Sequence, residues 1–472
     1  MANPDRLTGL DSSFLHLEGA AAHMHVAACA VFRGPAPPYA EFVATVERRL
    51  PLVPRYRQRL AFVPFQQGRP VWVDDPHFRI QFHIRHTALP RPGDDGALRR
   101  LSGRIFSQAL DRHRPLWELW LVEGLSDNRF ALLFKTHHAL VDGVSGLDLA
   151  TVLFELAVNP DAPPPPPEDQ WIPRPLPTAQ QLLADALVER LTQPAEAIRG
   201  VRAVLRGPRE VRHRLTDTLS GFGSLALTGL KPAPHSLFNV RIGPHRRLSW
   251  ATFDLAELRA IKSAFDATVN DVVLGAVAGG LGTYMRRRGE ETEGVVLRAL
   301  VPVSRHADGD HNQAGNQVAA MWAPLPVGTE DPVERLDFIT EAMIGAKSSG
   351  QAVGARVITE LPGFAPPTLV AQAARLQARQ RFFNLVVTNV PGPQVPLYML
   401  GRELLAIYPM VPLAENTALG VALMSYNGHV FCGLSSDFDA IPDLDDLAED
   451  IAGAVRAMRD AAGIQQVADQ LA

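Results

Sequence analysis

A run of prolines divides this chain into two halves. Five consecutive prolines, Pro163 to Pro167, lie in a segment (159–177) that holds four more. Proline fixes φ and has no backbone N–H, so this segment can neither continue a helix nor pair inside a sheet. It favours the extended geometry of a linker. We therefore expect an N-terminal lobe over 1–158, a proline-rich linker with an arginine-rich helical segment over 159–240, and a C-terminal lobe over 241–472.

Both halves mix short apolar strands with amphipathic helices, and neither shows the regular alternation of a doubly wound parallel sheet. In the first half, apolar strands over 116–122 and 130–136 are joined by a polar turn, which predicts a hairpin. In the second half, strands over 419–426 and 429–434 flank Asn427-Gly428, two residues that tolerate positive φ. The pattern predicts an α+β fold in two lobes.

The charge balance excludes one class of partner. Lys+Arg number 46 against Asp+Glu 50, a net charge of -4, so a basic nucleic-acid-binding protein is not expected. Cys29 and Cys432 sit in apolar, strand-like runs and are expected to be buried, inert thiols in a reducing compartment.

The pattern of apolar residues argues against a membrane-spanning protein. Residues 1–15 lack the charged start and apolar stretch of a signal peptide. No run of 18 apolar residues occurs, and 272–285 contains four glycines and is interpreted as a buried helix. We expect a cytoplasmic protein whose membrane contact is peripheral, at the inner membrane face or a lipid-droplet surface.

Arginine supplies nearly all of the positive charge, since the chain has only four lysines. A GC-rich genome explains most of this excess, while some arginines suit the binding of phosphates. The helical stretch 178–219 carries a cluster from Arg199 to Arg214. This cluster is either a solvated face or a surface that docks on anionic lipid.

The chemistry centres on the end of the strand 130–136, where the sequence continues as His137-His138-Ala139-Leu140-Val141-Asp142-Gly143. Adjacent strand residues point to opposite faces, so the two imidazoles are badly arranged to hold one metal ion. With no H-x₃-H or CxxC pattern, no metal site is expected. The remaining interpretations are a pair of satisfied core histidines and a general base, which the near-neutral pKa of histidine favours.

No nucleophile motif accompanies the histidines. The chain has no G-x-S-x-G elbow, and neither cysteine has an activating setting, so a covalent acyl-enzyme is not indicated. The simplest chemistry for a lone base is direct transfer, in which an acceptor hydroxyl attacks an acyl donor bound in the same channel.

HHALVDG resembles the HHxxxDG motif of the superfamily that includes chloramphenicol acetyltransferase and the condensation domains of peptide synthetases. Further matches narrow the resemblance to the bacterial wax ester synthase/diacylglycerol acyltransferase family. They extend over essentially the whole chain and comprise LDSSFL (10–15), PLW (115–117), NDVVL (270–274) and TNVPGP (388–393).

The resemblance implies two chloramphenicol-acetyltransferase-like lobes with a central channel, and an O-acyltransferase with long-chain acyl-CoA as co-substrate and no cofactor. The acceptor would be diacylglycerol, giving triacylglycerol, or a fatty alcohol, giving wax ester. His138 corresponds to the family's base and His137 to its neighbour in the motif. Asp142 corresponds to an aspartate that is mainly structural and commonly paired with an arginine; direct orientation of His138 is the alternative.

Several further residues are expected to contact substrate, each with a structural alternative. Asn270 is a candidate oxyanion donor, or it caps a helix together with Thr268 and Asp271. Thr388 and Asn389 are expected to shape the channel from the second lobe, or to serve only a turn. Trp117 is expected either to pack under the histidine turn or to contact substrate. Two further candidates are Gly143, which ends the motif, and the segment 361–370 as a groove wall or lid.

The residues leave two other functions possible. One is a condensation-type acyltransferase that uses a carrier-protein thioester, although the chain carries no carrier domain. The other is a catalytically silent lipid-binding protein of the same fold, which the intact HHxxxDG motif disfavours.

Overall fold

Two six-stranded sheets organise the part of the chain that the computed structural model describes, residues 5–140, 149–158, 171–189, 232–304, 318–348 and 382–464. The helices of these residues are α1 (Gly9–Leu17), α2 (Tyr39–Arg49), α3 (Asp95–Phe106), α4 (Leu149–Leu153), α5 (179–189), α6 (Leu255–Ala264), α7 (Val269–Arg287), α8 (Pro332–Ser348) and α9 (Leu444–Ala461). The strands are β1 (His25–Arg33), β2 (Gln58–Ala61), β3 (Val71–Asp74), β4 (Ile84–Ala88), β5 (Trp117–Leu125), β6 (Arg129–His137), β7 (Arg246–Asp254), β8 (Val296–Ser304), β9 (Val318–Pro326), β10 (Leu385–Pro391), β11 (Tyr398–Met399), β12 (Arg402–Met410), β13 (Leu419–Tyr426) and β14 (His429–Asp437).

The first sheet has the order β11-β12-β1-β6-β5-β4, and the second has the order β7-β14-β13-β10-β8-β9. Strands β2 and β3 form a separate hairpin. The predicted α+β class is confirmed, as are both predicted hairpins, β5–β6 and β13–β14. Asn427 and Gly428 adopt the positive φ that their turn requires.

The first sheet is not built from the first half of the chain alone. Strands β11 and β12 come from the second half, and β12 pairs antiparallel with β1 from Ala27 opposite Met410 to Phe32 opposite Leu404. The sequence of an apolar strand does not show which strand it pairs with, so the pairing of β12 with β1 was not predicted. The limits set for the lobes, near 158 and 241, stay a prediction.

The second sheet packs against a layer of helices. In α9 the buried residues Leu444, Leu447, Ile451, Val455 and Met458 recur at helical spacing and form one apolar stripe. Helix α7 is buried on nearly every side, as predicted for 272–285. Its glycines allow this, because a Cβ at Gly280 would overlap Ile451 of α9.

Helix α4 is short. Within the described residues it ends at Leu153, because Glu155 leaves the helix to exchange backbone hydrogen bonds of 2.8 Å with Tyr398 of β11. The linker is described only from Trp171 onward, where 171–178 has no regular structure, and the predicted helical stretch is described only as α5.

Cys29 and Cys432 are both buried, and burial raises the pKa of each thiol to about 12, as expected for inert cysteines. Among the described helices, none is by itself long and apolar enough to cross a membrane. Helices α6 and α7 reach that composition only as a pair, which is bent by 97°.

Strand β12 also joins the two sheets. The rings of Tyr408 on β12 and Trp250 on β7 stack with centroids 4.6 Å apart, and the Tyr408 ring meets the edge of Phe431 on β14 at 5.4 Å. The backbone of β12 crosses β14 so closely that a Cβ at Gly433 would overlap the carbonyl of Pro409. Gly433 is therefore required for this contact between sheets.

We predict that Gly433→Ala lowers the free energy of unfolding by about 1–3 kcal/mol, the usual cost of overpacking a close contact. The matched control is Gly345→Ala, on the exposed face of α8 where a Cβ meets nothing within 4 Å. Thermal unfolding followed by circular dichroism should show a lower Tm for the first variant and an equal or higher Tm for the second. Equal Tm values for Gly433→Ala and wild type would contradict the close packing of β12 on β14.

Candidate active site

Strand β6 brings both motif histidines to the end of the first sheet. It lies between β1 and β5, with His25 opposite His137 on one side and Trp117 opposite Thr136 on the other. The turn beyond it is fixed by backbone hydrogen bonds. The N–H of His137 donates to Leu116 O at 3.0 Å, and the N–H of His138 donates to Met24 O at 2.8 Å.

The imidazole of His138 is half-buried and stacks on the ring of Phe14 in α1, with centroids 4.0 Å apart and planes 23° apart. Burial, together with the neighbouring His137, lowers the pKa of His138 to about 4. At neutral pH this imidazole is therefore uncharged and able to accept a proton.

His137 points away from His138 into the protein, as strand geometry predicts, and is 1% exposed. Its Nδ1 accepts a hydrogen bond from the N–H of Ala139 at 3.0 Å. The ring hydrogen therefore belongs on Nε2, which lies 3.3 Å from Oε1 of Glu18.

Glu18, directly after α1, is a site residue that sequence reasoning missed. Its Oε1 accepts from the N–H of Met24 at 3.0 Å and lies 3.6 Å from Nε2 of His25, while its Oε2 accepts from Nε of Arg112 at 3.0 Å. Burial by itself would raise the pKa of Glu18, but His137 and Arg112 hold it well below its usual range. The only sequence signal was one acid at the end of the apolar stretch FLHLE.

Asn270 is the second residue of α7 and takes no part in capping that helix. The cap is reciprocal between Thr268 and Asp271: the Thr268 hydroxyl accepts from the N–H of Asp271 at 3.2 Å, and the Asp271 carboxylate accepts from the N–H of Thr268 at 2.9 Å. The Asn270 side chain is half-buried and forms no hydrogen bond with another described residue. Its amide is free to meet a ligand.

Thr388 and Asn389 lie within β10 rather than at its end, because the strand continues to Pro391. Both are half-buried and pair in parallel register with Ala422 and Leu423 of β13. Thr388 and Asn389 belong to the second sheet, whereas His138 directly follows β6 of the first sheet. No hydrogen bond between described residues joins either of them to the histidines.

Trp117 is 1% exposed, and its Nε1 donates to Tyr56 O at 2.8 Å. Its ring stacks on His83 with centroids 4.7 Å apart. These contacts favour the packing interpretation over direct contact with substrate.

Some predicted features lie outside the described residues. They are Asp142, Gly143, the segment 361–370 and the arginines from Arg199 to Arg214. The described His, Cys, Asp and Glu side chains include no group of three placed to hold a metal ion.

Comparison with known proteins gives consistent matches along the chain. The family model described as the wax ester synthase/diacylglycerol acyltransferase catalytic domain matches residues 7–273, and that of the WS/DGAT C-terminal domain matches 314–459. The probable diacylglycerol O-acyltransferase tgs1 of Mycobacterium tuberculosis is 35% identical over 458 residues, which cover 96% of this chain and 95% of the relative.

Solved structures agree with these matches. The wax ester synthase/diacylglycerol acyltransferase of Marinobacter aquaeolei VT8 superposes with a TM-score of 0.67 at 28% identity, covering 97% of this chain and 100% of the other. The first condensation domain of the calcium-dependent antibiotic synthetase superposes with a TM-score of 0.57 at 16% identity, covering 97% and 95%, which shows a shared fold alone.

We predict that Phe14→Ala raises the pKa of His138 toward the ordinary value near 6.5, because removing the stacked ring admits water to the imidazole. The measurement is an NMR titration of ¹³C-labelled histidine, with the His138 signal assigned from its loss in His138→Ala. The control is Phe78→Ala, which removes an equivalent stacking partner from His83 at 5.3 Å. An unchanged His138 titration in Phe14→Ala would show that Phe14 does not keep water from this ring.

Proposed function

Because the chain belongs to the wax ester synthase/diacylglycerol acyltransferase family, we propose that it transfers a long-chain acyl group from acyl-CoA to the hydroxyl of diacylglycerol or a fatty alcohol, with His138 as the general base. The observation that carries the proposal is the half-buried imidazole of His138, stacked on Phe14 at the end of β6 inside an intact HHxxxDG motif.

During the reaction one proton moves from the acceptor hydroxyl to His138 and then to the CoA sulfur. His138 takes the acceptor's hydroxyl proton as that oxygen attacks the thioester carbonyl. The tetrahedral intermediate collapses when the carbon–sulfur bond breaks, and the imidazolium of His138 returns the proton to the CoA sulfur. The products are an ester and free CoA, and the base is regenerated. A base that is uncharged at neutral pH starts this cycle in the required form.

The negative oxygen of the tetrahedral intermediate needs a hydrogen-bond donor. We propose the Asn270 side-chain amide for this role, supported by its freedom from the helix cap and its half-buried position at the start of α7. Thr388 and Asn389, with Gly143, are proposed to line the channel. Asp142 is proposed to hold the histidine turn by pairing with an arginine.

The carrier-protein alternative has weaker support. The condensation domain among the structural neighbours shares only 16% identity, whereas the family models for wax ester synthase/diacylglycerol acyltransferase match most of the chain. Acyl-CoA is proposed as the donor and co-substrate, with no separate cofactor.

Lipid substrates suggest contact with a lipid surface, and the loop between β2 and β3 offers an apolar contact. Phe62 is 51% exposed and Phe65 is 85% exposed. Phe65 has φ 57, a left-handed conformation that is uncommon for a bulky residue and turns its ring outward. Residues 61–70 contain no acidic residue. We propose that this loop docks peripherally on a membrane or lipid droplet, together with the cluster Arg199 to Arg214.

We predict that His138→Ala lowers kcat about 10²–10⁴-fold, the usual contribution of a general base. The assay supplies radiolabelled palmitoyl-CoA with dioleoylglycerol or hexadecanol and resolves the products by thin-layer chromatography. The surface variant His86→Ala, at 40% side-chain exposure, should retain wild-type activity. Equal ester formation by wild type and His138→Ala, or none by either, would require abandoning the assignment.

The pH dependence follows from the lowered pKa of His138. Protonation removes the base, so kcat/KM should stay level from pH 7 down to about pH 5 and fall as pH approaches the pKa of about 4. Initial rates in overlapping buffers, on enzyme shown to be folded at each pH, measure this. An acid limb centred near 6.5 would contradict a desolvated His138.

We predict that Phe62→Ser/Phe65→Ser weakens co-sedimentation with vesicles of phosphatidylcholine and phosphatidylglycerol. Each aromatic side chain contributes roughly 1.5–3 kcal/mol when it leaves water. Phe338→Ser, with 45% exposure on α8, is the matched control and should bind as wild type does. Changing the arginines from 199 to 214 to glutamine tests the electrostatic contribution, which added salt should also weaken. Binding that none of these changes reduces would rule out both surfaces.

A further inference from the structure

We propose that Glu18 is a positioning residue for acyl transfer, whose buried carboxylate fixes His137 and the peptide of Met24 and through them holds His138 in place. This inference rests on the proposed role of His138 as base. No hydrogen bond or ion pair between described residues joins Glu18 to the imidazole of His138, so its effect is indirect.

Glu18 carries a negative charge at a buried position. Its side chain is only 9% exposed, and an ionised carboxylate at that depth is costly unless it is paired and hydrogen-bonded. Arg112 supplies the opposite charge through Nε and Nη2 and also donates to Leu15 O at 3.1 Å. The guanidinium therefore fixes the carboxylate and the end of α1 together.

The first path from Glu18 to the base runs through the ring of His137. Nδ1 of that ring accepts a hydrogen bond from the N–H of Ala139, and Nε2 lies 3.3 Å from the Glu18 carboxylate without meeting hydrogen-bond geometry. The Leu140 N–H also donates to the carbonyl of His137 at 2.8 Å. These contacts position His137 at the start of the turn that carries His138.

The second path from Glu18 to His138 runs through the backbone of Met24. The N–H of Met24 donates to Oε1 of Glu18 at 3.0 Å, and the carbonyl of Met24 accepts from the N–H of His138 at 2.8 Å. Only Met24 separates the carboxylate from the backbone of the base. Both paths start at Oε1 of Glu18 and reach the backbone of His138.

The same contacts also place Phe14. Glu18 follows the last residue of α1, and Phe14 lies one turn earlier in that helix with its ring against His138. A shift of α1 would move the stacked ring as well as the backbone bond. Because misplacing a reacting group by about 1 Å can cost roughly 10²-fold in rate, a residue that fixes three contacts around the base should affect kcat.

The test is Glu18→Gln, which keeps the side-chain volume and an acceptor for Met24 but removes the charge. We expect kcat to fall about 10–100-fold, with KM for palmitoyl-CoA and for the acceptor within about twofold of wild type, as for loss of positioning in the transition state. Glu18→Asp keeps the charge on a shorter side chain, and its kcat should lie between those of wild type and Glu18→Gln. It provides the same comparison if Glu18→Gln does not fold.

A double-mutant cycle separates positioning from general stability. Arg112→Met should lower kcat by itself, and Glu18→Gln/Arg112→Met should be no slower than the worse single variant, because the two residues act as one unit. The control is Glu155→Gln, which breaks another ion pair of low exposure, Glu155 with Arg49 at 2.6 Å. It should lower Tm without changing kcat.

Each outcome decides the proposal. A lower kcat with unchanged KM in Glu18→Gln or Glu18→Asp, together with wild-type kcat in Glu155→Gln, supports it. A lower Tm with wild-type kcat, or a change in KM alone, overturns it and leaves Glu18 a structural residue. If His138→Ala is fully active, the proposed base and this role fail together; if His138→Ala is inactive while both Glu18 variants are fully active, only the positioning role fails.

Discussion

The hydrogen-bonded placement of β6 between β1 and β5 is the constraint on which the candidate site depends. A strand paired on both sides cannot slip, because a shift of one residue would exchange its two faces. That fixed register sends His137 into the protein, while His138 stacks on Phe14. The closing bonds from His137 to Leu116 and from His138 to Met24 extend the same constraint past the end of the strand.

The second half of the chain is needed to complete this arrangement. Strand β12 covers the edge of β1, so the sheet that carries the histidines includes residues from beyond the linker. The same strand crosses β14 at Gly433, and Tyr408 packs between Trp250 and Phe431. Strand β12 thus belongs to the first sheet and packs on the second, which couples the two sheets. Movement between the sheets would displace β1, which begins at His25, directly after Met24 and next to the histidine turn.

Sequence periodicity predicted the elements of the fold closely. Both predicted hairpins are present, and the apolar segment 272–285 is a buried helix because its glycines admit close neighbours. The pairing of β12 with β1 was missed, since alternation of apolar residues marks a strand but not its partner. Glu18 and Arg112 were missed for a related reason: 94 residues separate them, and no local pattern joins a lone acid to a distant arginine.

The sequence by itself determined the family, the α+β class and the identity of the candidate base, because a short motif and its spacing carry that information locally. It also indicated that the two histidines face opposite ways, since strand geometry follows from the backbone. Only the tertiary structure decided the environment of those imidazoles. The stacking of Phe14, the charge of Glu18 and the burial that lowers the pKa of His138 come from segments distant in sequence, and long-range packing alone brings them together.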